Sequence, residues 1–308
     1  MTAPQPSASH LNSLQMAESQ SAVSRLYSPQ TPVAQTSAPD LTASPTTTPS
    51  FQPLPSHTLR VTGLKKHFGG VRALDGVDFE IQSGQCVALI GPNGAGKSTC
   101  FAALAGQHRP DAGRVEWGAT TGPLDDITGL GAAELSVRGI GRSFQVAQVF
   151  EALSVLQNLQ LVAQYPKGLQ SFSLLKNHAQ EASMALLAQL GLQELAHSQA
   201  QALSYGQKKR LELGIALTGQ PRLLLLDEPA AGLAQAERAA LMHLIKSLTA
   251  PSRNLAVLYT EHNMDAVFGV ADRVLVLIDG KLAAQGTPSE IAANETVRSR
   301  YLGSSRVA

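Results

Sequence analysis

Gly91-Pro92-Asn93-Gly94-Ala95-Gly96-Lys97-Ser98-Thr99 fills every fixed position of the pattern G-x-x-x-x-G-K-[ST], a phosphate-binding loop. The apolar run Val87-Ala88-Leu89-Ile90 precedes it, and an alanine-rich helical pattern from Cys100 to Gly106 follows. The loop therefore sits between a strand and a helix, the context that the motif requires. Glycines let backbone N–H groups close around an anion with no Cβ in the way. The helix that follows turns its positive end on the same point. Lys97 is placed to bridge the β- and γ-phosphates of a nucleotide, and the Ser98 hydroxyl to hold Mg²⁺.

Composition narrows what can surround such a loop. A chain of 308 residues has room for one large domain or two small ones. Hydrophobic residues make up 44%, enough for a sizeable core in a chain whose mean hydropathy is near zero. The 24 basic and 23 acidic residues nearly cancel, which argues against a nucleic-acid partner. Cys86 and Cys100 lie inside or beside the strand–loop–helix unit and read as small buried hydrophobes in a reducing compartment. No apolar run approaches the ~18 residues that a spanning helix needs. Residues 1–57 are rich in Ser, Thr, Pro, Gln and Ala, with Glu18, Arg25 and Asp40 as their formal charges. Such a segment buries too little apolar surface to overcome its ordering entropy, so a disordered extension is expected before a folded domain at 58–308.

Further groups come to hand in chain order. Leu59-Arg60-Val61 and Val77-Asp78-Phe79-Glu80-Ile81 alternate with period 2, as strands do. Phe68, just before two glycines, has a ring face to offer a purine, and equally suits a core position. Gly141-Arg142-Ser143-Phe144-Gln145 reads as a strand whose terminal Gln145 has an uncharged oxygen for a metal or an attacking water. About 148–217 is helical in pattern, with Met184, Leu186, Leu187 and Leu190 on one face. Near its end, Ser204 and Gln207 have capping-box spacing, which marks a helix start and leaves a second anion site as the sharper alternative. Leu223 to Leu226 reads as a strand buried on both faces and ends in Asp227-Glu228. Asp227 is placed to hold Mg²⁺ through its water shell and Glu228 to polarise the attacking water; both could instead cap the next helix. The strand Leu255 to Thr260 delivers His262 to the same edge. Val274–Ile278 and Leu282–Ala284 flank the turn Asp279-Gly280, and Ser289 to Leu302 reads as a closing helix.

With the loop, Gln145, Leu203-Ser204-Tyr205-Gly206-Gln207, Asp227-Glu228 and His262 in this order, the chain from about Leu59 to Gly303 resembles an ABC-transporter ATP-binding subunit. Phe68-Gly69-Gly70-Val71-Arg72-Ala73-Leu74, Gly141–Gln145, Glu228-Pro229-Ala230-Ala231-Gly232-Leu233, Glu261-His262-Asn263-Met264-Asp265 and Tyr301-Leu302-Gly303 are similar to the branched-chain amino acid importer branch. Urea/amide importers look closely similar, and the lipopolysaccharide-export ATPase is a near relative. The fold implied is α/β: a P-loop NTPase core of mostly parallel sheet, an antiparallel β subdomain and an inserted helical subdomain at about 148–217. The cofactors implied are ATP and Mg²⁺.

The resemblance also assigns roles. One ATP would be held by Phe68 and by Gly91, Pro92, Asn93, Gly94, Ala95, Gly96, Lys97, Ser98 and Thr99. Ser204, Gly206 and Gln207 would close on it from a second ATPase subunit in a head-to-tail nucleotide sandwich. Ser98, Gln145 and Asp227 would hold the metal, and Glu228, His262 and Gln145 would serve hydrolysis. The implied partners are membrane permease subunits, a second ATPase that the resemblance favours as a different chain, and indirectly a periplasmic or extracellular substrate-binding protein. The implied place is peripheral, on the cytoplasmic face of the plasma (inner) membrane. A single phosphate loop and no heptads separate the chain from soluble ABC proteins of repair or translation. Leu203–Gln207 and His262 separate it from P-loop kinases. Two positions depart from the pattern: Tyr205 stands where glycine is commonest, and Ala234 where many ABC ATPases carry Asp.

Overall fold

Alternating and continuous apolar runs sort into two sheets in the computed structural model, which describes residues 56–143, 149–164, 175–250 and 253–302. Most of the 1–57 segment, Gln145 and Gly303 lie outside the described residues. Strands β1 (His57–Phe68) and β2 (Val71–Gln82) form a long antiparallel hairpin turned at Gly69-Gly70. The stretch Lys66–Leu74 is the tip of that hairpin, and both strands outrun their alternation signals. β3 (Cys86–Ile90), buried along its whole length, leads into the phosphate loop and α1 (Lys97–Leu104). β4 (Ala112–Ala119), the two-residue β5 (Asp125–Asp126), α2 (Ala132–Val137) and β6 (Ile140–Arg142) follow.

Next come α3 (Val155–Gln164), α4 (Leu175–Leu190) and α5 (Tyr205–Thr218), with an isolated bridge between Ser154 and Gln199. Gly191, at φ +68°, ends α4 as a left-handed stop, with the Leu192 N–H bonded back to the Leu187 carbonyl at 2.8 Å. The last third holds β7 (Leu223–Leu226), α6 (Gln235–Leu248), β8 (Ala256–Thr260), α7 (Met264–Phe268), β9 (Arg273–Ile278) and β10 (Lys281–Gly286). The expected closing helix Ser289–Leu302 is in fact broken. α8 (Pro288–Ala293) stops at Asn294, whose side chain accepts from the Val297 N–H at 3.1 Å and starts α9 (Glu295–Val297). An asparagine that offers its side chain to the backbone competes with helix continuation, and apolar periodicity does not register it.

The antiparallel sheet has the order β2-β1-β4-β5 and the larger one β10-β9-β3-β8-β7-β6. Every ladder from β9 to β6 is parallel, and β10 closes the edge antiparallel through the turn Asp279-Gly280. The larger sheet is a middle layer because alternate side chains of its strands enter different cores. Ala88, Leu224, Leu226, Val257 and Tyr259 pack with α3 to α6. Val87, Leu89, Leu223, Leu225 and Leu258 pack with α1 and with Leu59, Val61, Phe79 and Ile81 of the antiparallel sheet. A strand covered on both faces has no polar face to show, which explains the unbroken Leu223–Leu226. Both cysteines are buried, and burial pushes each thiol up to about 12.

Candidate functional site

The phosphate loop leaves the carboxyl end of β3 through backbone conformations that a side chain would obstruct. Gly91 and Gly96 lie at φ +151° and +98°. A Cβ on Gly91 would collide with the Leu277 carbonyl, and one on Gly96 with that of Ala73. Gly96 caps α1 with no side-chain hydrogen bond, so the helix opens with its N–H groups left for an anion. A second support comes from far along the chain. The N–H of Gly280, in the β9–β10 turn, donates to the Ala95 carbonyl at 3.1 Å, while the Asp75 N–H donates to the Gly280 carbonyl at 2.8 Å. The turn thus ties the loop to β2.

Lys97 is only 7% exposed. Its ammonium donates to the carbonyls of Gly91 (2.7 Å) and Pro92 (3.0 Å), folding over its own loop. Burial lowers its pKa below the ordinary lysine value, while nearby Glu228 and Asp227 pull it back up. Those two carboxylates reach the loop because β7 and β8 are parallel neighbours with Leu226 opposite Tyr259. The next residues of both strands, Asp227 and Thr260, therefore emerge together at the carboxyl edge where α/β sheets bind ligands.

A chain of hydrogen bonds joins them. The Thr260 hydroxyl donates to Asp227 Oδ1 at 2.6 Å and accepts the Glu228 N–H at 2.9 Å. Glu228 sits at φ +45°, an unusual conformation for a residue with a Cβ. Its Oε1 lies 2.6 Å from His262 Nε2; a carboxylate only accepts, so that nitrogen carries the hydrogen. Buried Glu261 accepts the N–H groups of His262 (3.0 Å) and Asn263 (3.4 Å), fixing the turn that carries the imidazole. Sequence reasoning passed over Thr260 and Glu261. The one available signal was two polar residues closing an otherwise apolar buried strand.

Phe68 is 45% exposed at the hairpin tip, edge-on to His108 with ring centres 5.6 Å apart. Of its two readings, the core position is thereby excluded. Ser204 caps α5 as expected: the Gln207 N–H donates to its hydroxyl at 3.3 Å and the Ser204 N–H to Gln207 Oε1 at 2.9 Å. Ser204, Gly206 and Gln207 line an open cavity with Arg210 and Glu237. Among the described residues, no hydrogen bond or ion pair joins Ser204–Gln207 to the phosphate loop. Tyr205 leans over Gly232, where a Cβ would stand 3.2 Å from its ring. Ala234 occupies the N-cap of α6 without a side-chain bond.

The donors present suit Mg²⁺. Ser98 and Asp227 supply hard oxygens, and no group of three or more His, Cys, Asp or Glu among the described residues could form a complete protein cage. Mg²⁺ characteristically takes one or two protein oxygens and completes its shell with water and phosphate.

The family profile described as "ABC transporter" matches residues 74–231. The high-affinity branched-chain amino acid transport ATP-binding protein LivG of Salmonella typhimurium is 38% identical over 255 residues, covering 80% of this chain and 97% of that protein. BraF of Pseudomonas aeruginosa, described in the same words, is 36% identical with the same coverage. Among solved structures, the ADP conformation of MJ1267, an ATP-binding cassette of an ABC transporter, superposes with a TM-score of 0.69 at 30% identity. That match covers 80% of this chain and 99% of the other.

Proposed function

The chain belongs to the ABC transporter family, and from that membership we infer that it is the ATPase subunit of an importer for branched-chain amino acids. It binds nucleotide, and its hydrolysis of ATP is coupled to transport. The observation that carries the reading is the gathering of Lys97, Asp227, Glu228 and His262 at one sheet edge around the phosphate loop. The substrate class rests on the likeness to LivG and BraF along nearly their whole length.

In this reading the phosphate groups of ATP replace the two carbonyls that Lys97 holds in the free protein. Phe68 offers its exposed ring to the adenine. Ser98 and Asp227 would hold Mg²⁺, with Gln145 as a further ligand, and the ion would supply positive charge to the phosphates. Glu228 accepts a proton from the attacking water while His262, bonded to its Oε1 in the free protein, turns toward the γ-phosphate. The second half of the site comes from a partner ATPase placed head to tail. In α5 the capping box occupies the Gln207 N–H, so the Tyr205 and Gly206 N–H groups remain for the partner's γ-phosphate. Closure on ATP and reopening after hydrolysis would drive permease subunits, with the chain lying against the cytoplasmic membrane face. No helix among the described residues is long and apolar enough to cross a membrane.

Glu228→Gln should abolish steady-state hydrolysis while ATP binding persists; hydrolysis at the wild-type rate would overturn the mechanism. Purification from detergent-solubilised membranes should bring down importer permeases, and deletion of the chain should abolish uptake of labelled leucine. Urea or amide uptake lost in its place, or exporter permeases recovered, would replace the substrate reading.

A further inference from the structure

We propose that Thr260 is a positioning residue for hydrolysis, whose single hydroxyl sets Asp227 and the backbone of Glu228 in mutual register. The proposal rests on the roles given to Asp227 and Glu228 above. Leu226 pairs with Tyr259 across the parallel β7–β8 ladder, so Asp227 and Thr260 are the first residues past that pair. Side chains alternate along a strand. Leu223 and Leu225 of β7, and Ala256 and Leu258 of β8, all enter the core that holds α1. Asp227 and Thr260 continue those two rows, which turns both side chains to the face where the phosphate-loop helix lies.

The chemistry of the hydroxyl matches the task. It carries one hydrogen and accepting lone pairs, and the structure uses both: it donates to Asp227 Oδ1 and accepts the Glu228 N–H. Thr260 is 1% exposed, so no solvent competes for either bond. Its β-branch restricts χ1, which keeps the oxygen between its two partners. Glu228 lies in the left-handed region, a conformation that persists in a residue with a Cβ only when its surroundings hold it there. Thr260 holds the backbone end of Glu228 and His262 holds the carboxylate end. Without the hydroxyl, the Glu228 peptide loses its partner and can relax toward ordinary φ, swinging the carboxylate off the line of attack. One Asp227 oxygen is freed at the same time. The effect should therefore fall on the chemical step and leave nucleotide capture, which depends on the loop, largely intact.

The test compares Thr260→Val, nearly the same shape without the hydroxyl, with Thr260→Ser, which restores it, in the full chain. Thr260→Val should lower kcat at least tenfold while KM and the dissociation constant for ATP stay within twofold. Amide exchange of the peptide containing Glu228 should quicken in the nucleotide-free protein, a readout independent of turnover. Thr260→Ser should return kcat to within threefold of the parent. If Thr260→Val does not purify folded, Thr260→Cys, a far weaker donor, is read by the same criteria. Retention of kcat within twofold in the valine or cysteine variant overturns the proposal, as does a serine variant as slow as valine. So does a loss of affinity in place of turnover. Glu228→Gln measured alongside separates the two readings. If it hydrolyses normally, the role of Glu228 fails; if it is inactive while Thr260→Val is not slowed, only the Thr260 proposal fails.

Discussion

Replacing Gly280 by alanine tests whether the β9–β10 turn holds the phosphate loop in its binding shape. Gly280 lies at φ +72°, where alanine costs about 1–2 kcal/mol more than glycine. The new Cβ would stand 2.9 Å from the Ala73 carbonyl oxygen and 3.1 Å from that of Arg72, both backbone atoms. The turn must therefore move by a few tenths of an ångström, away from β2. That movement stretches the 3.1 Å bond from the Gly280 N–H to Ala95 in the loop, an interaction worth about 1 kcal/mol. If that bond's contribution is lost from the loop, the dissociation constant for ATP rises about fivefold, since 1.4 kcal/mol is tenfold. The chemical groups are untouched, so kcat at saturating ATP should stay within about twofold, the split expected when binding is lost equally from the ground state and the transition state. Titration with a fluorescent nucleotide gives the affinity, and thermal melting with and without ATP gives the stability. A variant that melts lower yet binds ATP as tightly as the parent would refute the brace.

Three other changes follow from particular contacts. Burial holds the Lys97 pKa below 10.5, and bound phosphates favour the charged form; ATP affinity should be full below the lowered pKa and fall as pH rises through it. A flat binding profile up to pH 10.5 would contradict this. Lys209→Met breaks a buried ion pair with Glu212, 3.3 Å apart with side chains 1% and 6% exposed, and should destabilise the fold by about 3–5 kcal/mol in denaturant melts. Ala234→Asp supplies the side-chain cap that α6 lacks, at backbone angles already suited to it, and should add about 1 kcal/mol. Calorimetry should show a melting temperature raised by about 2–4 °C; no change would place the Asp227–Ala234 segment under other constraints.

Much of the candidate site is legible in the sequence because its chemistry is written in neighbouring residues. The nine positions Gly91–Thr99 specify a turn and a helix start by local sterics alone, after an apolar strand, and the capping box at Ser204 is likewise a matter of three-residue spacing. The buried strand ending in Asp227-Glu228 announced itself as four leucines followed by two acids. Elements failed where a local competitor outweighed periodicity, as at Asn294, or where length came from pairing, as in the β1–β2 hairpin. Phe68 could not be assigned either way, since burial is a property of what else arrives nearby.

The sequence by itself determined that a nucleotide triphosphate has a loop to bind and that two acids and a histidine close strands. It could not say that they meet. The Thr260–Asp227 and His262–Glu228 bonds span 33 and 34 residues, and Gly280 reaches Ala95 from the far end of the chain. The first two of those meetings depend on strand order and on one register, Leu226 opposite Tyr259. That register is chosen by two cores filled at once from both sheet faces, and shifting it by a single residue would turn Thr260 away from Asp227.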